Sequence, residues 1–165
     1  MKKEDVILTC YSLLRNETPL SFDCGEICGG KCCKGDSNLG MLLFPGEENL
    51  IDSNIEIKET ESGDKIAVCN GNCDRNKRPL SCRIYPVFPL IVNENNEEKI
   101  KTIIDLRADC PLKECEYKFQ KSFLRKVKRV GKLLLLNEET KEFYLSLCDD
   151  FNEQIALLKL FQKNL

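Results

Sequence analysis

The sequence predicts an α+β fold on three observations: helical periodicity at both ends of the chain, two hairpin patterns between them, and cysteines gathered in the connecting loops. At 165 residues the chain fits one domain with an ordinary core, read here as residues 1–165. A cysteine-rich region occupies 22–111, and C-terminal helices occupy 112–165. With 42% hydrophobic and 32% charged residues and a net charge of -2, the composition is that of a folded domain, and charge alone names no partner.

Residues 3–16 read as a helix because Ile7, Cys10, Tyr11 and Leu14 recur at helical spacing, which puts Cys10 on the apolar face. A glycine-rich loop follows from Ser21 to about Gly40. "MLLF" at 41–44 reads as a short strand, and Pro45 is placed to open a helical turn. In "NIEIKETESGDKIAVC", Ile55 and Ile57 alternate with polar neighbours, "ESGD" supplies a turn, and "KIAVC" returns as a strand ending at Cys69. The prolines in "NGNCDRNKRPLSCRIYPVFP" disfavour helix and point to a long structured loop. "LIVNENNEEKIKTIIDL" predicts a second hairpin with "NENNEE" at its turn. From Leu112 to Leu136, Cys115, Phe119, Phe123, Val127, Val130 and Leu134 keep a helical period. Asn137 is then a candidate N-cap for a last helix carrying Phe143, Leu147, Phe151, Ile155 and Leu158.

The first residues contain lysines, but acidic residues at 4 and 5, an interrupted apolar stretch and the lack of a small-residue cleavage site give no export signal. No run is long enough to span a bilayer, so neither a membrane nor an export route is expected, and the expected location is the cytoplasm. Segment 121–132 has six basic residues and no acidic one. With Phe123, Val127 and Val130 supplying a buried stripe, it reads as the solvated face of an amphipathic helix, so no nucleic-acid partner is expected. A protein partner is left open.

Location governs how the 11 cysteines are read. In a reducing compartment structural disulfides are rare, and clustered thiols serve metal binding or redox chemistry. Cys10, Cys115 and Cys148 fall at helical positions beside apolar residues and are expected in the core, with Cys115 left open as a further ligand because it follows Cys110 by five positions. The other eight, Cys24, Cys28, Cys32, Cys33, Cys69, Cys73, Cys82 and Cys110, lie in loops or at strand ends and form the candidate metal-ligand set. Four thiolates at about 2.3 Å from one zinc require turns that aim several side chains at one point. Gly25, Gly29, Gly30 and Gly71 are expected to supply those turns through positive φ. Adjacent Cys32 and Cys33, if extended, point to opposite sides and do not share an ion.

Eight thiols allow two four-cysteine sites, or one site with thiols to spare. With no histidine in the chain, mixed Cys/His zinc sites and Rieske ligation are excluded. A thiolate centre carries about -2 to be balanced, and Arg75, Lys77, Arg78 and Arg83 stand among the second group of cysteines, with Arg78 and Arg83 as the candidate cofactor-binding pair. A thioredoxin-like enzyme is excluded because there is no Cys-x-x-Cys, and a radical-SAM enzyme because the spacing differs and the chain is too short for its barrel. Two readings survive: a non-catalytic metal-binding module, which is favoured, and a small oxidoreductase or accessory subunit with one open ligand position.

"CGEICGGKCC", followed by "CNGNC" and "RPLSCRIYP", resembles the CxxCxxCC, or YkgJ-like, cysteine-cluster family, described as a zinc- or iron-chelating domain. The matching positions are Cys24, Cys28, Cys32 and Cys33, then Cys69 and Cys73, then Arg78, Pro79, Cys82, Arg83, Tyr85 and Pro86, and last Cys110, covering about residues 22–111. The early cysteines are separated by three residues where the family has two. The resemblance implies chelation without assigning a reaction. A related region accompanies flagellin lysine methylase, but this chain has no glycine-rich methyl-donor fingerprint, so methyl transfer is not carried over. Thiolate-only ligands, Cys110-Pro111 and the methylase analogy favour an iron–sulfur cluster of the 4Fe-4S type over zinc.

Overall fold

Helix α1 (Lys3–Leu13) turns Val6, Ile7, Cys10 and Tyr11 inward, so the predicted apolar face is the buried one. The computed structural model describes residues 1–33, 40–69, 71, 74–105, 108–113 and 118–163, with the backbone alone at residues 33 and 161–163. Cys73 and Cys115 lie outside the described residues, as does the side chain of Cys33. A short helix α2 (Gly25–Cys28) and a 3-10 turn (Lys31–Cys33) follow α1.

Strands β1 (Met41–Leu42), β2 (Glu56–Glu59) and β3 (Lys65–Val68) form an antiparallel sheet in the order β1-β3-β2. Ala67 stands opposite both Met41 and Ile57. The β2–β3 hairpin is the one expected, but of its two isoleucines only Ile55 is buried; Ile57, paired with Ala67, is 39% exposed. Leu43, Ile55 and Ala67 make a small second core, with Ile51 and Cys69 against it.

The stretch expected to lack helix contains one: α3 (Leu80–Ile84) begins directly after Pro79. Proline breaks a helix from within, but at the entry its fixed φ and missing N–H cost nothing, since the first helical N–H groups have no partner in the helix. After α3 come β4 (Val87–Glu94) and β5 (Glu97–Ile104), paired from Val87↔Ile104 to Glu94↔Glu97. Their two-residue turn places Asn95 and Asn96 at φ 55° and 63°, the left-handed pair that matches strand twist in a tight hairpin. The hairpin thus begins three residues before the expected Leu90. Pro89 is accommodated in a ribbon where each strand has an open edge.

The helix expected from Leu112 begins instead at Lys121. Pro111–Lys113 is a 3-10 turn, and α4 spans Lys121–Leu134. Asn137 caps α5 (Glu138–Lys163), its Oδ1 accepting from Thr140 N at 3.2 Å. The main core joins both helices to the hairpin and to α1: Phe123, Val127, Val130 and Leu134 from α4, Tyr144, Leu147 and Phe151 from α5, and Val87, Phe88 and Leu90 from β4. Phe88 stacks on Phe151 with ring centroids 4.4 Å apart. Cys10 and Cys148 are buried in this core, as their helical spacing implied.

Gly131 lets α4 approach the hairpin. A Cβ there would lie 2.7 Å from Tyr144 Oη and 3.1 Å from Pro89 Cβ, and Tyr144 Oη is engaged in donating to the Pro89 carbonyl. Gly131→Ala gains about 1 kcal/mol of helix propensity but overpacks a buried contact, at about 1–3 kcal/mol. The expected net result in urea melts is destabilisation. A stabilised variant would show that the contact yields freely.

Candidate metal centre

Asp23 starts the first cysteine segment, its Oδ1 accepting from Gly25 N at 2.9 Å and so turning the chain into α2. Cys24 precedes that helix and Cys28 ends it, with Cys28 Sγ 3.9 Å from the Cys24 carbonyl oxygen. Gly29 and Gly30 then take φ 63° and 70°, reversing the chain into the turn that holds Cys32. These two glycines and Gly71 (φ 90°) have the expected positive φ, whereas Gly25 is helical. Cys32 and Cys33 are not extended. Their backbone belongs to the 3-10 turn Lys31–Cys33, and the expected separation of the two side chains lies outside the described residues.

The second segment is held more firmly. Buried Glu47 accepts from Tyr11 Oη and Leu80 N, each at 2.6 Å, on one carboxylate oxygen and from Phe44 N at 2.7 Å on the other. It therefore fixes the first residue of α3, two positions before Cys82. Ser81 Oγ donates to the Leu42 carbonyl at 2.5 Å, tying α3 to β1. Arg83 lies 3.9 Å over the Tyr11 ring, and its guanidinium donates to the carbonyls of Arg78 at 2.8 Å and Asn76 at 2.5 Å. Asp52 extends the bracing, accepting from Asp74 N at 2.7 Å and Asn54 N at 3.0 Å.

These segments surround a cavity of about 80 Å³ whose wall includes Cys24, Cys28, Cys32, Cys82 and Cys110. Arg75, Arg78 and Arg83 line it as well, with Tyr85 and Pro86. Three stretches far apart in sequence thus deliver five of the eight candidate cysteines, together with both candidate arginines, to one place. Ion pairs between Lys31 and Asp109 (2.8 Å) and between Arg75 and Asp23 (3.8 Å) link the stretches at the rim. Cys69 is not among the lining residues; it packs on the small core beside Leu43 and Ile55. Lys77 is likewise absent from the lining. Among the described residues, no three Cys, Asp or Glu side chains are gathered tightly enough to hold one ion.

The electrostatics express the crowding. Burial first, then the negative charge of Asp23, Cys110 and Cys28, raises the Cys24 thiol above its ordinary range. Burial likewise raises the Tyr85 hydroxyl, with Cys110 and Cys32 adding to it. A cation placed among these thiols would reverse that balance and favour thiolates.

Several contributors carry no local signal in the sequence. Glu47 is 0% exposed while its neighbour Glu48 reaches solvent and pairs with Lys65 at 2.8 Å. Nothing in "PGEENL" distinguishes the two. Arg15, Glu17, Lys31 and Asp109 at the cavity are equally ordinary surface residues in sequence.

Fold and site together define an α+β protein with a cysteine-lined, arginine-flanked cavity. No family model matches the chain, and no curated protein or solved structure matches it either. The likeness to the YkgJ-like family rests on the motif residues alone.

Proposed function

We propose that this chain is a cytoplasmic metal-binding protein, a non-catalytic module holding an all-thiolate centre, with an iron–sulfur cluster favoured over zinc. The observation that carries the reading is the convergence of Cys24, Cys28, Cys32, Cys82 and Cys110 on one cavity flanked by Arg78 and Arg83. The donor set fits the group in kind: soft thiols select iron–sulfur clusters and zinc, and the chain has no histidine to compete. Ligands would be drawn from these five, with Cys33 and Cys73 as further candidates from the motif. Holding one ion requires the cysteine loops to close further around it, which the glycine-flanked turn at 28–32 can do while α3 stays braced. Arg78 and Arg83 would balance the negative charge of the thiolate centre. A bound cluster supplies one-electron transfer; zinc supplies a structural cross-link.

Anaerobic purification with iron, sulfide and zinc analysis and a visible spectrum tests this. Expected is a brown protein with iron and acid-labile sulfide in equal amounts. A colourless protein with stoichiometric zinc would replace the cluster by a structural zinc site. Absence of both metals after anaerobic purification and reconstitution would overturn the reading.

A further inference from the structure

Outside the cavity, the largest unexplained feature is the exposed face of α4. Lys121, Arg125, Lys128, Arg129 and Lys132 are all exposed, and at about 100° per residue they fall within roughly 100° of arc, opposite buried Phe123, Val127, Val130 and Leu134. The stripe runs about 16 Å along the helix. Among the described residues none of the five makes an ion pair; the one basic residue of the segment that does, Lys126, reaches Glu17 at 2.7 Å from the flank. Like charges thus stand at i,i+4 from 121 to 125, 125 to 129 and 128 to 132, each pair destabilising the free helix. A face meant only for solvent mixes both signs.

We propose that this stripe docks a protein partner presenting a row of carboxylates. Two observations favour a protein over a nucleic acid. Every exposed position of the stripe is Lys or Arg, with its aromatic residue, Phe123, buried, so it offers no platform for stacking bases. The segment holds six positive charges and no negative one within a chain whose net charge is -2, so the remainder carries -8; a long polyphosphate leaving the stripe would meet that acidic remainder, while a carboxylate patch of matching length would not. The stripe also begins one residue after a contact with the cavity wall. Gln120, next to Lys121, donates from its backbone N to the Pro19 carbonyl at 2.8 Å and from its side chain to the Thr18 carbonyl at 3.2 Å, and Thr18 and Pro19 line the cavity. The N-terminal end of α4 is therefore tied to the segment that forms part of the cavity wall.

The test uses the purified full chain and fluorescence anisotropy with three probes: a labelled 20-residue poly-glutamate, a labelled 20-nucleotide single-stranded DNA, and vesicles containing phosphatidylserine. The charge-swap R125E/K128E/R129E is compared with K58E/K65E/K99E, which makes the same charge change on the sheets. Expected is poly-glutamate binding that the stripe variant weakens at least tenfold and the control variant by less than threefold, with weakening as salt rises from 50 to 200 mM. Tighter binding of DNA or of vesicles than of poly-glutamate, no poly-glutamate binding, or equal loss in both variants would overturn the proposal. Should the charge swap fail to fold, R125A/K128A/R129A, which only removes repulsion, gives the same comparison. Metal content of the stripe variant is expected to equal that of the unaltered chain, so failure here and failure of the metal reading are separately visible.

Discussion

Glu47→Ala is expected to cost about 3–5 kcal/mol of folding stability, more than a typical core truncation of similar size. The carboxylate is fully buried and accepts three hydrogen bonds, from Tyr11 Oη, Leu80 N and Phe44 N. Deleting it leaves two backbone N–H groups buried without an acceptor, at about 1–3 kcal/mol each. The same residue gives stability a pH dependence. Burial outweighs its hydrogen bonds to Tyr11, Leu80 and Phe44 and the attraction of Arg83, and pushes its carboxyl up to about 7 from an ordinary 4.5. The folded state therefore holds this proton where the unfolded chain has released it. Stability is greatest below about pH 4.5 as far as this group is concerned, falls as pH rises from there to about 7, and is level above. The fall is on the order of 3 kcal/mol, from about 1.4 kcal/mol per pH unit. Glu47→Gln keeps the acceptor facing Tyr11 and Leu80 but turns an NH₂ toward Phe44 N, so it should cost about 1–3 kcal/mol and abolish this slope. Urea melts of both proteins between pH 5 and 8 check it, since contributions from the thiols cancel in the difference. An unchanged slope in the glutamine variant would show that Glu47 does not titrate in this range.

What the sequence made legible follows from which interactions are local. The faces of α1, α4 and α5 are recorded in residues three and four apart, and the β4–β5 turn in adjacent asparagines, so each could be read within a short window. Helix α3 is not legible locally because the same proline that forbids helix before it also opens one after it; position decides, and position is set by Glu47, 33 residues away. The late start of α4 has a similar origin: Phe119 keeps the helical spacing, but Gln120 is committed to the 18–20 segment, where the chain path matters more than periodicity. At the site, cysteine clustering was visible in composition, while the division between Cys82, which lines the cavity, and Cys69, which packs beside Ile55, depends on how β3 and α3 are laid against one another. Spacing alone could not separate them.

That division gives the sharpest test of the candidate site. Cys82→Ser is expected to remove most of the bound metal and to lower stability by several kcal/mol, because a serine oxygen is a poor partner for a thiophilic centre and metal-binding energy in such a domain is folding energy. Cys82 is the most constrained of the lining cysteines. Its helix is pinned at Leu80 by Glu47, at Ser81 by the Leu42 carbonyl and at Arg83 by the carbonyls of Arg78 and Asn76, so no neighbouring thiol can swing into its place. Cys28 and Cys32, flanking Gly29 and Gly30, stand on a more compliant turn, and their serine variants should lose metal less completely. Cys69→Ser and Cys148→Ser separate site from core. Cys69 is half-buried against the small core and the Cys148 thiol lies beside the Tyr144 hydroxyl and the Ile91 backbone, so each change should cost at most about 1–3 kcal/mol and leave the metal-to-protein ratio unchanged. Metal analysis alongside urea melts on the five variants resolves the two effects. Loss of a metal equivalent in Cys69→Ser would return Cys69 to the ligand set, and would mean that β3 moves toward the cavity when the centre is filled.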